Sequence, residues 1–366
     1  MPGQGRSFCA PALAAKNKKT GPSFSTLAPD ASSAADAAVE NEERGSVMVK
    51  YVLKRIALML MVFLIIISIC FVLVKLLPDK PAEQFGKDMQ LIEMRREALG
   101  YNKPLIEQYF IFVQKSLIGG NWGVSESLYV GQDVWTKFME KMPATIIVNV
   151  YTMIFAVPLG LLLGIYAALR KNKWQDHLIS TGVMIFVSVP SYVYAFLVQY
   201  FLCFRLKWFP FQMKSGFDFL SWETFVSLVP AIISLGFGTV AGLARYTRAE
   251  LTEVLTSDYL LLARTKGLSR GQTTVRHALR NSMVPIFPMI LGEFIGIMSG
   301  SLIIEQIFGI PGVGPLYVSS INSTPPDYNF FLLLTAFYTL IGLASGIVVD
   351  ISYSFIDPRI RMGSKK

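Results

Sequence analysis

The cationic side chains of this sequence are concentrated in residues 258–285, which we call the basic segment. It holds one acid, Asp258, and five cations: Arg264, Lys266, Arg270, Arg276 and Arg280. Helical patterns in residues 250–262 and 273–281 flank a break at Gly267 and Gly271, and glycine suits a chain reversal because it reaches positive φ without a Cβ penalty. Such a basic helix–turn–helix can bind lipid headgroups, nucleic acid or a protein partner. On charge alone it fits a plain cytoplasmic loop of a membrane protein equally well.

A second candidate site is a single carboxylate inside an apolar segment. Glu293 lies near the middle of a long apolar segment, where a carboxylate is costly unless it faces a helix-bundle interior or an aqueous path. Two interpretations stay open. Glu293 either faces a path taken by a polar solute, or it makes a hydrogen bond to a neighbouring helix in its protonated form.

The remaining reactive side chains do not form a catalytic or metal-binding set. His177 and His277 lie in separate loops, and two of the three cysteines, Cys70 and Cys203, lie inside apolar segments where they serve as small buried residues. A nucleotide-binding loop of the Walker type is absent from the sequence. We therefore expect that the chain is not an enzyme, and that any ATP chemistry belongs to another chain.

The elements that carry these groups are membrane-spanning helices. Of the 366 residues, 52% are hydrophobic, which is too apolar for an ordinary soluble chain. Six apolar segments are long enough for the ~30 Å hydrocarbon core of a bilayer. They are residues 56–77, 144–169, 178–204 (interrupted at Pro190), 224–244, 283–304 and 330–349. The sequence thus predicts an all-α integral membrane protein.

The connecting segments differ in composition. Residues 1–47 are rich in Ala, Ser, Pro and Lys without an apolar run, so we expect a disordered tail, or an upstream misread with Met48 as the initiator. Residues 78–143 contain helical patterns at 89–99 and 105–117, and we predict a small ordered cap. A Gly/Pro-rich turn is predicted for residues 308–327, and a short tail for 362–366.

The distribution of Lys and Arg predicts the orientation of the chain. The proposed inner segments (residues 50–55, 170–177, 245–280 and 359–366) carry 17 Lys and Arg residues in all. The outer segments carry 9 in the long first loop, 3 in the second loop and none in the third. Cytoplasmic loops are enriched in these cations, and long loops count little. Both termini are therefore predicted to be cytoplasmic.

The order of residues in the basic segment resembles the "EAA" cytoplasmic loop of ABC importer permeases, in their oligopeptide/dipeptide (and nickel) branch. The residues that carry the resemblance are ARTKGL at 263–268, HALRN at 277–281, and Pro285. The long spacing from Gly267 to Pro285 is usual for the peptide branch. In that family this loop seats in a groove of the ATPase subunit. The resemblance thereby assigns ATPase coupling to Asp258, Tyr259, Ala263, Arg264, Lys266, Gly267, His277, Asn281 and Pro285.

Four further segments resemble the same family, in order, so that the likeness covers nearly all of residues 48–361. They are LLPDKP at 76–81, REALGYNKPL at 96–105, EQIFGIPGVG at 305–314, and the ending Asp350…Tyr353…IDPRIR at 350–361. The first departs from the family's Leu-Pro-Gly-Asp-Pro turn, since its glycine is missing. Taken singly, glycines and prolines at these positions serve turns, and Asp350, near the inner end of the sixth span, is expected to pair with a basic residue or to contact water.

The resemblance implies a six-span permease domain over residues 48–361, with an external cap at 78–143 and a cytoplasmic coupling loop at 245–282. It implies translocation of oligopeptides or dipeptides, with a homologous second permease, two ATPase subunits that bind ATP and Mg, and an external peptide-binding protein. Nucleic acid is not an expected partner. In this setting Glu293 would meet the ammonium or N–H groups of a passing peptide, although its position is not a family motif.

Three alternative functions are open on the sequence alone. A permease of the same type for nickel chelates or another small solute shares the pattern. An ion-coupled secondary transporter often shows internal repeats, and none is visible among the six segments. An integral-membrane enzyme would need clustered acids, nucleophiles or metal ligands.

Overall fold

The computed structural model describes residues 31–76, 102–214 and 220–356, and the side chains among them from Lys50 to Tyr353. The chain divides into two compact units, Met1–Val49 and Lys50–Lys366. The described residues contain no β-strand, only an isolated antiparallel bridge between Val124 and Asp133. The predicted all-α class is confirmed.

Twelve α-helices occur in the described part of the chain. In order they are α1 (Ala31–Leu76), α2 (Leu105–Phe112), α3 (Val134–Leu169), α4 (Trp174–Ser188), α5 (Ser191–Val198), α6 (Trp222–Leu255), α7 (Asp258–Thr265), α8 (Arg270–Thr273), α9 (Arg280–Gly296), α10 (Ile304–Ile307), α11 (Val313–Asn322) and α12 (Tyr328–Ile356). Helices α2, α5 and α8 continue into π-helical segments, Val113–Ile118, Gln199–Arg205 and Thr274–Leu279. A 3₁₀ turn, Ile297–Ser299, follows α9.

Five of the predicted spans are helices that are long and apolar enough to cross a membrane. They are Lys50–Leu76, Val134–Leu169, Trp222–Leu255, Arg270–Ser299 and Tyr328–Tyr353. The third predicted span is a bent pair, because the segments Trp174–Ser188 and Ser191–Arg205 meet at 104°. The bend falls at Pro190, as predicted, since proline lacks the N–H that a continuous helix needs. This pair supplies the sixth span if it crosses as one element.

Several helix boundaries differ from the predicted ones; the fourth span continues to Leu255, and the fifth ends at Ser299, before the predicted end at 304. Helix α1 extends back to Ala31, into the predicted tail, where an Ala- and Glu-rich sequence has high helix propensity. Helix α3 begins at Val134, ten residues early, because Asp133 caps it by accepting a hydrogen bond from the Thr136 N–H. The predicted Gly/Pro-rich turn contains α11, whose start follows directly on Gly312.

Helices α3 and α6 are the most extensively packed pair of helices in the described part of the chain. A Cβ at Gly164 would lie 2.6 Å from the Thr247 Cβ and 2.7 Å from the Ala244 carbonyl oxygen. Helices can approach this closely only where one of them presents small residues. The two helices are therefore closely packed at Gly164, and both carry residues of the candidate functional site.

The residues between α2 and α3 are tied to the start of α12. The buried Asp327 carboxylate accepts hydrogen bonds from the Ser125 hydroxyl at 2.5 Å and from the Leu128 N–H at 3.1 Å. On the other side, Phe71 of α1 stacks on Phe112 of α2 with ring centroids 5.1 Å apart. The predicted helix at 105–117 is confirmed as α2 and its π-helical extension. The predicted helix at 89–99 lies outside the described residues.

Candidate functional site

The basic segment folds as a helix–turn–helix with the predicted reversal at Gly267, but its helices begin and end at other residues than predicted. The pattern at 250–262 is two helices, because α6 ends at Leu255 and α7 begins at Asp258. Gly267 has φ +89° and makes the predicted reversal, whereas Gly271 lies inside α8. A capping box formed by Ser269 and Gln272 starts α8, which decides the position of the second helix.

The segment is anchored by a small apolar cluster and exposes the rest of its surface. Leu260 of α7 and Ala278 pack with Ala168 of α3 and Leu251 of α6. The outer face of α7 presents Tyr259 together with Leu261 and Leu262, which are all exposed. Large exposed apolar side chains on a folded helix are typical of a protein docking surface.

The predicted coupling residues are distributed over α7, the turn after it, the π-helical segment 274–279 and α9. Those exposed are Asp258, Tyr259, Arg264, Lys266, Gly267, His277 and Asn281. Ala263 is buried and supports α7 from below, and Pro285 is half-buried inside α9. The exposed residues from Asp258 to Gly267 lie on α7 and its turn, whereas Pro285 lies within the membrane helix. Their role in coupling stays a prediction.

An ion pair that the sequence patterns did not indicate joins this region to α4. Asp176 is only 1% exposed and accepts two hydrogen bonds from Arg248 of α6, at 2.5 and 2.8 Å. It also accepts the Asn172 N–H at 2.9 Å, where Asn172 has φ +63°. The α3–α4 turn is thus fastened to the inner part of α6. The sequence feature that could have indicated this pair is a single acid, Asp176, within a short and strongly basic loop.

Glu293 borders a cavity of about 280 Å³ formed by α5, α6, α9 and the start of α10. The polar side chains on the cavity wall are hydroxyls and this single carboxylate: Ser191, Tyr194, Thr239, Ser301 and Glu293. Glu293 is exposed rather than packed against a neighbouring helix. Of its two interpretations, the placement at a polar-lined cavity agrees with the first.

Behind the cavity, a buried carboxylate organises the segment between α9 and α11. Glu305 is 0% exposed and accepts hydrogen bonds at 3.1 Å from the Ser301 N–H, the Gly314 N–H and the Thr145 hydroxyl. A Cβ at Gly312 would overlap a Glu305 oxygen, so the chain fits around the carboxyl only as glycine. Burial raises the pKa of Glu305 to about 7, although these three donors oppose the shift.

The motif at 305–314 is part of the hydrogen-bonded network around Glu305. Val313 N–H donates to the Thr145 hydroxyl at 2.9 Å, so that α3 and the motif share one hydrogen-bonded network. Gln199 of the bent pair donates to the Ile307 carbonyl at 2.8 Å. The motif is therefore hydrogen-bonded to α3 and to the bent pair, where a simple turn was expected.

Asp350 pairs with Arg55 at 3.1 Å, between the last and the first spans. The expectation of a structural ion pair at this position is confirmed. The described residues contain no group of three or more His, Cys, Asp or Glu side chains that could hold a metal ion.

Comparison with known proteins identifies the family. The family model described as "Binding-protein-dependent transport system inner membrane component" matches residues 160–362, and the model of its N-terminal part matches residues 48–149. The chain belongs to this family. The resemblance drawn from its motifs is confirmed: the permease is a multi-pass inner-membrane subunit of an ABC importer that works with an ATPase and a substrate-binding protein.

Three relatives are similar over almost their whole length. The permease is 35% identical over 315 residues to the dipeptide transport system permease protein of Lactococcus lactis subsp. cremoris, covering 86% of this chain and 100% of the relative. It is 31% identical to the glutathione transport system permease protein of Escherichia coli K12 (86% and 99%). It is also 31% identical to the oligopeptide transport system permease protein of Haemophilus influenzae (86% and 100%).

Proposed function

We propose that this permease forms half of the transmembrane path of an ATP-driven peptide importer, with its ATPase dock on the basic segment. The observation that carries the proposal is α6, a single helix that lines the cavity at Thr239 and continues to Leu255, next to α7. From Thr239 to Leu255 the helix covers roughly 24 Å at about 1.5 Å per residue. A displacement of α7 would therefore move the cavity wall directly.

The first expected partner is inferred from the cavity, which is open in a single chain. This chain does not enclose the cavity by itself, so a homologous second permease would complete it. Two ATPase subunits would bind ATP and Mg²⁺ and dock on α7 of each permease, and an external binding protein would deliver the solute. This chain itself would hold no cofactor and perform no hydrolysis.

Peptides are the substrate class that the cavity and the relatives favour together. The three relatives are named for dipeptide, oligopeptide and glutathione transport. Hydroxyl groups and one carboxylate suit the N–H and ammonium groups of a peptide backbone better than a fully apolar solute. Nickel chelates or another small solute are the second candidate, since a hydroxyl-lined cavity of this kind admits them as well.

Uptake by the reconstituted complex tests the function. Vesicles containing both permeases and the ATPase subunits are loaded with ATP and supplied with the binding protein and labelled dipeptide, tetrapeptide or glutathione. Accumulation that requires internal ATP is expected for at least one of them. Accumulation driven by an ion gradient without ATP would instead assign the chain to the secondary transporters, and uptake of a nickel chelate alone would reject the peptide class.

The orientation with both termini cytoplasmic has its own test. In a chain freed of native cysteines, Val130→Cys is expected to react with an impermeant thiol reagent in intact cells, because Val130 is exposed on the predicted external cap. Gly271→Cys on α8 is expected to react only after permeabilisation. The reverse labelling pattern would invert the proposed topology.

Substitution of Gly267 by valine tests the coupling role. At φ +89° a β-branched residue is strained by about 1–3 kcal/mol, yet no atom lies within 4 Å of an added Cβ. We expect near-normal membrane levels, with ATP hydrolysis no longer stimulated by the loaded binding protein. Stimulated ATPase activity and uptake are measured per assembled complex.

Gly271→Val is the matched control for Gly267→Val. Gly271 also has open space at its Cβ, but it lies in α8 with ordinary helical geometry. The control should keep its coupling. Wild-type stimulation by Gly267→Val under the same normalisation would leave the turn with a role in folding only.

Glu293→Gln tests the substrate path. Loss of a charge-assisted hydrogen bond to the peptide ammonium should raise the KM for peptides with a free N-terminus about tenfold, since such bonds contribute about 1.5–3 kcal/mol. N-acetylated peptides should be little affected. Glu140→Gln, which changes an exposed glutamate of α3 outside both the cavity and the coupling loop, serves as control. Equal KM values for both peptide types in Glu293→Gln and wild type would restrict Glu293 to a structural role.

A further inference from the structure

A second cavity lies away from the transport path, between α1, α2 and the start of α12. It has a volume of about 130 Å³. Phe71, Phe112 and Leu332 form its apolar walls, and its polar lining includes two ammonium groups and two side-chain amides: Lys75, Lys115, Gln108 and Asn121. The combination of cations and amide donors above an apolar floor fits a ligand with an anionic head and an apolar body.

The cavity lies at the end of two membrane spans. Lys75 is the penultimate residue of α1, and Tyr328 is the first residue of α12. Phe71 and Leu332, about one helical turn further along each span, form a buried apolar floor below the cavity. Lysines at span ends and aromatic residues such as Trp122 and Tyr328 are typical of the headgroup level of a bilayer.

Helix α2 has the two-sided character of a helix that lies in a membrane interface. Its inner face packs on α1 through Tyr109 and Phe112. Its outer face leaves Ile106 71% and Phe110 66% exposed, and the following Ile118 is 79% exposed. Water would contact these large apolar side chains if α2 lay in solution, whereas acyl chains cover them if α2 lies at the bilayer surface.

We propose that this cavity binds the headgroup of an anionic phospholipid. The phosphate would accept hydrogen bonds from the lysine ammonium groups, Lys115 foremost, with the Asn121 amide as a further donor. The outer face of α2, which points away from the cavity, would lie in acyl chains, so the cavity would lie at headgroup level, and this favours a lipid over the carboxylate of a soluble peptide. The bound lipid would hold α2 against α1 and so stabilise this end of the two spans.

Native mass spectrometry of the purified transporter complex tests the site. Delipidated complex is titrated with phosphatidylglycerol or with phosphatidylcholine, and the fraction carrying retained lipid is measured. Each lysine near an anionic surface contributes a factor of about five, so Lys75→Gln with Lys115→Gln should lower retention of phosphatidylglycerol by about tenfold or more and leave that of phosphatidylcholine unchanged. Lys103→Gln, which removes an exposed cation next to α2 but outside the cavity, is the matched control.

Three outcomes would overturn the proposal. These are retention of phosphatidylglycerol by the double variant at the level of the Lys103→Gln control, equal retention of both lipids by the wild type, or displacement of bound phosphatidylglycerol by a soluble anionic peptide. The assay requires no transport, so a failure of the proposed importer function would leave its result intact.

Discussion

Replacing Arg248 by methionine is expected to destabilise the permease by about 3 kcal/mol or more, because it leaves the buried Asp176 carboxylate without its cation. Asp176 is 1% exposed, and Arg248 supplies two of its hydrogen bonds. An unpaired buried charge costs more than the pair contributes, so the single substitution removes far more stability than a surface change. We expect reduced membrane abundance and a lower midpoint of thermal unfolding in detergent.

Two comparisons isolate the ion pair in that experiment. The double variant Asp176→Asn with Arg248→Gln should recover part of the loss, because neutral side chains at both positions leave no buried charge and the amide oxygen of the introduced asparagine can still accept the Asn172 N–H. Arg264→Met, which removes an exposed cation of α7, should leave stability nearly unchanged. If Arg248→Met and Arg264→Met had equal unfolding midpoints, the pair would contribute nothing to folding.

The same pair has a mechanical consequence. It fastens the α3–α4 turn to α6 on the side of the membrane where α7 lies, so α3, α4 and α6 would move together when the dock moves. In complexes that still assemble, the double variant should therefore hydrolyse ATP with weaker stimulation by the loaded binding protein. This links the stability of the turn to the coupling proposed for the basic segment.

Replacing Glu305 by glutamine is expected to lower stability and to change its dependence on pH. Both carboxylate oxygens accept backbone N–H groups, from Ser301 and Gly314. A glutamine presents an oxygen to only one of them and turns its NH₂ toward the other. One buried N–H then loses its acceptor, which costs about 1–3 kcal/mol. A lower midpoint of thermal unfolding is the expected result.

The direction of the pH effect follows from the raised pKa. Between the ordinary pKa of 4.5 and about 7, the folded protein keeps a proton on Glu305 that the unfolded chain has released. The free energy of unfolding therefore falls as the pH rises through this window, and the contribution is constant above it. In Glu305→Gln this slope should be absent. Thr145→Val keeps the carboxyl and should keep the slope, although it also loses stability. An unchanged pH profile in Glu305→Gln would show that Glu305 does not titrate in this range.

Sequence patterns were sufficient for the membrane architecture and for one sharp turn. Six apolar segments predicted five long helices and the pair that bends at Pro190, because the hydrophobic length and the missing proline N–H act locally. Gly267 was identified as the reversal of the basic segment for a similar reason, since positive φ is a property of one residue. The predictions of an unbroken helix at 250–262 and of a break at Gly271 were wrong, because capping by Ser269 competes with glycine for the position of the break.

Tertiary structure alone decided which polar groups act together. Asp176 and Arg248 are separated by 72 residues, and Glu305 meets Thr145 across 160. Apolar periodicity cannot indicate such pairs, because in a membrane helix it does not distinguish a face covered by lipid from a face packed on another helix. The sequence by itself thus determined which segments span the membrane, whereas helix packing determined the cavity wall, the ion pair and the environment of Glu293.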